Sequence, residues 1–265
     1  MKHAVYLPPF AELADPRVVR DLAVAAEGSG WDGFFLWDHV LRPPDEVREI
    51  ADVWVTLAAV AVATTTLRLG PMVTPLVRRR VQKLAREVVS LDLLSSGRLT
   101  VGLGLGVDSG GELSKFGELT DERARGDLLD EGAGLLDALM SGEEVSHRGE
   151  YFKVDAAQFL PRPVQQPRVP LWFATRGAAT RPVRRAARYD GVFPIEIDGD
   201  GLSRVLDVVV AERGTLDAFD VAVLVFPGVD IDDMERRGAT WAMWSTLPGE
   251  PADEVAAFIE RGPRS

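Results

Sequence analysis

The sequence predicts an α/β fold: a (β/α)8 TIM barrel with a short hairpin inserted after the fourth helix, forming a single domain over residues 1–265. Three observations carry that expectation. Short β-rich runs alternate with longer stretches of helical apolar spacing through all 265 residues. Eight such units average about 33 residues each, the size of a compact βα repeat. Most of the β-rich runs are continuously apolar, as parallel strands buried on both faces require. An open doubly wound sheet is the competing architecture, and it suits fewer units.

The first strand is Ala4–Leu7. A helix follows from Pro16 to Glu27, with Asp15 as N-cap, Pro16 at its first position, and Gly28 and Gly30 as the stop. Gly33–Trp37 is the second strand and Asp52–Thr65 the second helix. Leu67–Thr74 leads to a helix over Val81–Leu94 that closes in Ser95-Ser96-Gly97. Leu99–Leu105 is the fourth strand, followed by a long helix from Asp121 to about Met140. Strands five to eight are Val169–Ala174, Gly191–Ile195, Val221–Phe226 and Thr240–Trp244. Their helices are Ala179–Tyr189, Gly201–Arg213, Asp232–Arg237 and Ala252–Arg261. Between Gly142 and Pro170 the alternation breaks, and two short extended runs around Arg148-Gly149 read as the hairpin.

Charge and composition exclude several functions. Thirty Lys+Arg against 41 Asp+Glu leave a net charge of −11. Such a surface repels phosphate backbones and anionic lipid, so neither nucleic acid nor membrane is an expected partner. The absence of cysteine excludes disulfides and thiol chemistry. Apolar runs such as Leu57 to Ala63 fall short of the ~20 residues of a membrane span, and the N-terminal apolar stretch is too short for a signal-peptide core. The expected location is cytoplasmic. His3, His39 and His147 lie far apart in sequence and no metal-ligand spacing or nucleophile elbow is present, so no metal is expected and a cofactor is the expected source of reactivity.

Barrel sites lie at strand C-termini. The second strand ends in Trp37-Asp38-His39, an acid and an imidazole suited to proton transfer. Alternation places Phe35, Trp37 and His39 on one face. The fourth strand carries Gly102, Gly104 and Gly106, a face without side chains. Phe35 and Trp37 could fill it, and so could a flat cofactor at the mouth. The fifth ends in Thr175-Arg176-Gly177 and runs through Thr180 into a helix, an arrangement that could cradle a phosphate. Arg78-Arg79-Arg80 is the other concentration of positive charge.

Several stretches together resemble the bacterial luciferase-like flavin oxidoreductase superfamily. They are Ala25-Ala26-Glu27-Gly28-Ser29-Gly30-Trp31-Asp32-Gly33 running into Trp37-Asp38-His39, Leu67-Arg68-Leu69-Gly70-Pro71-Met72-Val73-Thr74-Pro75, Leu91-Asp92-Leu93-Leu94-Ser95-Ser96-Gly97-Arg98-Leu99, the glycine strand, and Ala187-Arg188-Tyr189-Asp190-Gly191. In order and spacing they span nearly the whole chain.

The resemblance implies a barrel that binds reduced FMN or the deazaflavin coenzyme (F-420) at its mouth. It implies a bulge with a non-prolyl cis peptide at Met72-Val73, followed by Thr74, behind the ring. It places Gly104 and Gly106 against the ring and the phosphate on Arg176, Gly177 and Thr180, although Thr175-Arg176 replaces the Glu-Ser pair of luciferases. His39 becomes the proton donor or acceptor, oriented by Asp38. Phe10, Trp37 and Trp244 are the expected pocket wall. The favoured reading is a monooxygenase that uses reduced FMN and oxygen on a small organic substrate, with a separate reductase supplying the flavin and a homodimer as the assembly. Deazaflavin-dependent hydride transfer is the first alternative, and a non-catalytic flavin-binding barrel the second.

Overall fold

The computed structural model of the protein describes residues 1–47 and 49–263. Its strands are β1 (Lys2–Leu7), β2 (Gly33–Leu36), β3 (Arg68–Pro71), β4 (Thr74–Pro75), β5 (Val101–Gly104), β8 (Leu171–Arg176), β9 (Gly191–Ile195), β10 (Asp220–Val225) and β11 (Trp241–Ser245). All pair in parallel, in the order β3-β2-β1-β11-β10-β9-β8-β5-β4. β3 and β4 are two halves of one stave, interrupted at Met72-Val73. A parallel bridge from Leu69 of β3 to Leu99, two residues before β5, ties the two sides of this order together and closes the barrel, which excludes the open sheet.

The helices are α1 (Pro16–Gly28), α2 (Val53–Ala63), α3 (Val81–Leu94), α4 (Glu122–Met140), α5 (Thr180–Ala186), α6 (Gly199–Arg213), α7 (Ile231–Arg237) and α8 (Ala252–Glu260). Five start on an aspartate whose side chain accepts a backbone amide of the first turn: Asp15, Asp52, Asp121, Asp198 and Asp230. Such caps satisfy donors that a helix leaves open at its start. The fifth helix ends at Ala186, short of the expected Tyr189.

The insertion is the antiparallel pair β6 (Glu144–Arg148) and β7 (Lys153–Gln158). Glu131 of α4 fastens its turn by accepting the amides of Glu150, Tyr151 and Phe152 at 3.0, 3.0 and 2.8 Å, and His147 Nε2 lies 2.9 Å from the same carboxylate.

Strand alternation divides the core in two. Phe34, Leu36, Val101, Leu103 and Leu171 face the helices. Ala4, Tyr6, Phe35, Met72, Trp172, Phe193, Trp241 and Met243 fill the barrel, with Phe35 stacked on Trp172 at a centroid distance of 5.6 Å. Above them Trp37, Val73, Ala174, Ile195 and Leu224 form a partly exposed apolar layer. That layer is the floor of the mouth. No helix among the described residues is long and apolar enough to cross a membrane.

Candidate active site at the barrel mouth

The floor is shaped at the interrupted stave. The Met72-Val73 peptide is cis. Met72 N donates to Leu36 O at 2.7 Å, and the Tyr6 hydroxyl donates to Met72 O at 2.6 Å. Tyr6 lies wholly inside the barrel, and burial pushes its hydroxyl far above the usual phenol range. The glycine strand makes room for this bulge. A Cβ on Gly102 would lie 2.6 Å from Met72 Sδ, and one on Gly104 would lie 2.5 Å from Val73 Cγ2. Met72 and Val73, from the neighbouring stave, therefore occupy the space that the sequence left to Phe35 and Trp37 or to a cofactor. Gly106, at φ +73°, sits against Pro75.

Trp37, His39, Phe10 and Tyr6 form one aromatic wall. Phe10 meets Trp37 and His39 edge-on at centroid distances of 6.1 and 5.9 Å, and Tyr6 lies 5.6 Å from Trp37. Trp244 is not part of it. Period-two alternation turns Met243 inward and Trp244 outward, where the indole packs on Trp31 and Phe258 and donates to His3 Nδ1 at 3.1 Å.

The carboxylate at His39 is Glu112, not Asp38. His39 Nδ1 lies 2.9 Å from Glu112 Oε1, and Val40 N donates to Glu112 Oε2 at 3.3 Å. Glu112 stands on the loop after β5, between the turns Ser109–Gly111 and Ser114–Phe116. Asp108 secures that loop by accepting the amides of Leu113 and Ser114. Gly110, at φ +69°, lets it lie against Arg42, since a Cβ there would be 2.6 Å from the Arg42 carbonyl carbon. With Nδ1 engaged, Nε2 has no hydrogen-bond partner among the described residues.

Asp38 faces away from the barrel axis, because it alternates with Trp37 and His39. It accepts the Thr74 hydroxyl at 2.8 Å, Arg79 Nη2 at 2.8 Å and Arg78 Nη2 at 3.2 Å. Its expected partnership with His39 is thus replaced by two arginines of the triplet that follows β4. Sequence reasoning missed Glu112, which lies 73 residues from His39 in a loop without helical or strand period. Its one signal is an acid in the glycine-rich exit of the glycine strand.

At the exit of β8, Arg176 is exposed and its Nε lies 3.5 Å from Glu196 Oε2. Gly177 adopts φ +54° and its amide donates to Ile195 O at 3.0 Å. Thr180 opens α5, whose first amides have no intrahelical partner. An apolar floor, an unpartnered imidazole nitrogen at its rim, and an exposed arginine beside a helix start fit a flat, phosphate-bearing coenzyme.

Comparison with known proteins follows the same line. The family model described as luciferase-like monooxygenase matches residues 2–262. An F-420-dependent glucose-6-phosphate dehydrogenase of Nakamurella multipartita is 30% identical over 251 residues, covering 92% of this chain and 73% of the relative. Among solved structures, an F-420-dependent secondary alcohol dehydrogenase in complex with an F-420-acetone adduct superposes with a TM-score of 0.83 at 17% identity, over 98% of this chain and 97% of that one. A monooxygenase from Streptomyces bottropensis superposes with a TM-score of 0.76 at 20% identity, over 98% and 96%.

Proposed function

The chain belongs to the luciferase-like monooxygenase family, an oxidoreductase family, and from that premise we propose that it moves a hydride between the deazaflavin coenzyme and a small organic substrate, an alcohol in one direction and a carbonyl in the other. The observation that carries this reading is the His39–Glu112 pair. When bound, such a coenzyme supplies a two-electron hydride acceptor or donor.

The remaining work falls to the protein. Glu112 accepts Nδ1–H of His39 and leaves Nε2 as a lone pair at the mouth. With such a coenzyme bound, Nε2 would take the hydroxyl proton as the alcohol is oxidised to the carbonyl. The imidazolium so created is held by a carboxylate whose side chain is 1% exposed. In the other direction His39 returns the proton to the carbonyl oxygen. Phe10 and Trp37 keep water from the reacting carbon. The Met72-Val73 bulge, given room by Gly104, would form the floor of the coenzyme site, and Arg176 with the open amides at the start of α5 near Thr180 would hold the phosphate.

The relative that is 30% identical is named for this coenzyme, which tips the choice away from reduced FMN, oxygen and a separate reductase. Titration of the purified protein with oxidised and reduced F-420 and FMN, followed by turnover of secondary alcohols without oxygen, tests it. Tight F-420 binding with anaerobic reduction by an alcohol supports the proposal. Selective binding of reduced FMN with oxygen consumption would overturn it in favour of the monooxygenase.

A further inference from the structure

Six ion pairs run end to end from the mouth to the surface of α3. His39 Nδ1 is 2.9 Å from Glu112 Oε1, and Glu112 Oε2 is 3.9 Å from Arg78 Nη2. Arg78 Nη2 is 3.2 Å from Asp38 Oδ1, and Asp38 Oδ2 is 2.8 Å from Arg79 Nη2. Arg79 Nη1 is 4.0 Å from Glu87 Oε2, and Glu87 Oε1 is 2.8 Å from Lys83 Nζ. The signs alternate throughout.

The inner members are Glu112, Arg78, Asp38, Arg79 and Glu87, three acids and two cations. They carry one net negative charge, which the exposed Lys83 balances, so the whole chain is neutral with His39 neutral and gains one positive charge when His39 is protonated. The side chains of Glu112, Asp38 and Arg78 are 1%, 2% and 5% exposed, so water screens them little and each charge acts on its neighbours. Among the described residues Arg78 is held through Nη2 alone, for its Nε and Nη1 are buried without partners there. That nitrogen sits closer to Asp38 than to Glu112.

We propose that Arg78 and Asp38 are positioning residues that set the charge of the His39 imidazole through Glu112. Asp38 draws Arg78 to its own side, and Glu112 is left with most of its negative charge to hold Nδ1–H. This deepens the function proposed above and rests on His39 being its proton-transfer group. The other rings against His39, Phe10 and Trp37, are uncharged, and Arg42 on the same loop is tied to Glu46.

The chain has three histidines, so NMR of ring-labelled, coenzyme-free protein follows each titration separately, with His39→Gln giving the assignment. Glu112→Gln is expected to lower the His39 midpoint by about one to two pH units, and Arg78→Met to raise it by about one. Asp38→Asn should lower it, Arg78→Lys should restore it, and His3 and His147 should stay put. Arg78→Met leaves Asp38 paired with Arg79, and the near-isosteric Glu112→Gln carries the test if that variant does not fold. Shifts below about 0.3 units in both Glu112→Gln and Arg78→Met, or shifts of the same sign in the two, would overturn the proposal. Midpoints that move as stated while the acid limb of turnover stays fixed uphold the chain and instead remove His39 from proton transfer.

Discussion

The Tyr6 hydroxyl donates a 2.6 Å hydrogen bond to the carbonyl oxygen of Met72, tying the first strand to the bulge beneath the mouth. Burial pushes that hydroxyl far above the usual phenol range, so it stays a donor. Tyr6→Phe strands a buried carbonyl, at a cost of about 1–3 kcal/mol. The unfolding midpoint is expected to fall and coenzyme affinity to drop several-fold, read by thermal denaturation and by titration. Wild-type values for both would mean that the carbonyl does not depend on Tyr6.

Gly104 tests the same bulge from the other side. A Cβ at Gly104 meets Val73 Cγ2 at 2.5 Å, whereas one at Gly28 meets nothing within 4 Å. Gly104→Ala is expected to cost about 1–3 kcal/mol by overpacking, and Gly28→Ala to be near neutral. Equal midpoints for the two variants would refute the close approach.

The barrel was legible because its signals are periodic. Runs such as Leu99–Leu105 and a cap such as Asp15 are local properties of the chain, and alternation placed Phe35 and Trp37 inward correctly. What stayed hidden depends on which loops meet. Glu112 reaches His39 only because Gly110 lets one loop lie on Arg42, and no period marks a loop. Trp244 shows the cost of setting alternation aside: its inward neighbours are Trp241 and Met243, so parity alone sends it outward. Asp38 obeys that parity too, facing Arg78 and Arg79 while His39 faces the mouth.

Glu27 ties α1 to the start of the third stave. Burial alone would raise its pKa, but the amides of Thr66, Thr65 and Leu67 and the Thr66 hydroxyl together bring it from 4.5 down to about 2. A depressed carboxylate stabilises the fold above its unfolded value, and that stability is lost as pH falls from 4.5 towards 2. Glu27→Gln is therefore expected to be less stable by about 1–2 kcal/mol at neutral pH, after allowance for solvent screening. The gap should close in acid. A gap that persists unchanged through that window would show that geometry, not charge, holds the contact.

The face of α2 bears on assembly. Val53–Ala63 holds no charged residue, and Val55 and Val62, seven positions apart on one face, are 65% and 66% exposed. An apolar helix face turned to water favours a partner, and the homodimer that the family resemblance implies would supply one. Sedimentation of the wild type should show a dimer, and Val55→Glu with Val62→Glu should shift it to monomer. A monomeric wild type would remove this role for α2.

The imidazole of His39 is the sharpest test of the proposed chemistry. Its Nδ1 is engaged by Glu112 and its Nε2 has no partner among the described residues, so the ring is arranged to exchange one proton at the mouth. A positioned general acid–base contributes typically 10²–10⁴-fold in rate. His39→Ala should lower turnover by about that factor while coenzyme affinity changes little, because the floor and the β8 exit are untouched. His39→Gln should keep the contact to Glu112 but recover little rate, since an amide hydrogen-bonds without accepting a proton. A packing role predicts the reverse, a lower unfolding midpoint with turnover per folded molecule intact. Measuring both quantities on both variants separates the two, and a fall in turnover of less than about threefold in folded His39→Ala protein would end the acid–base assignment.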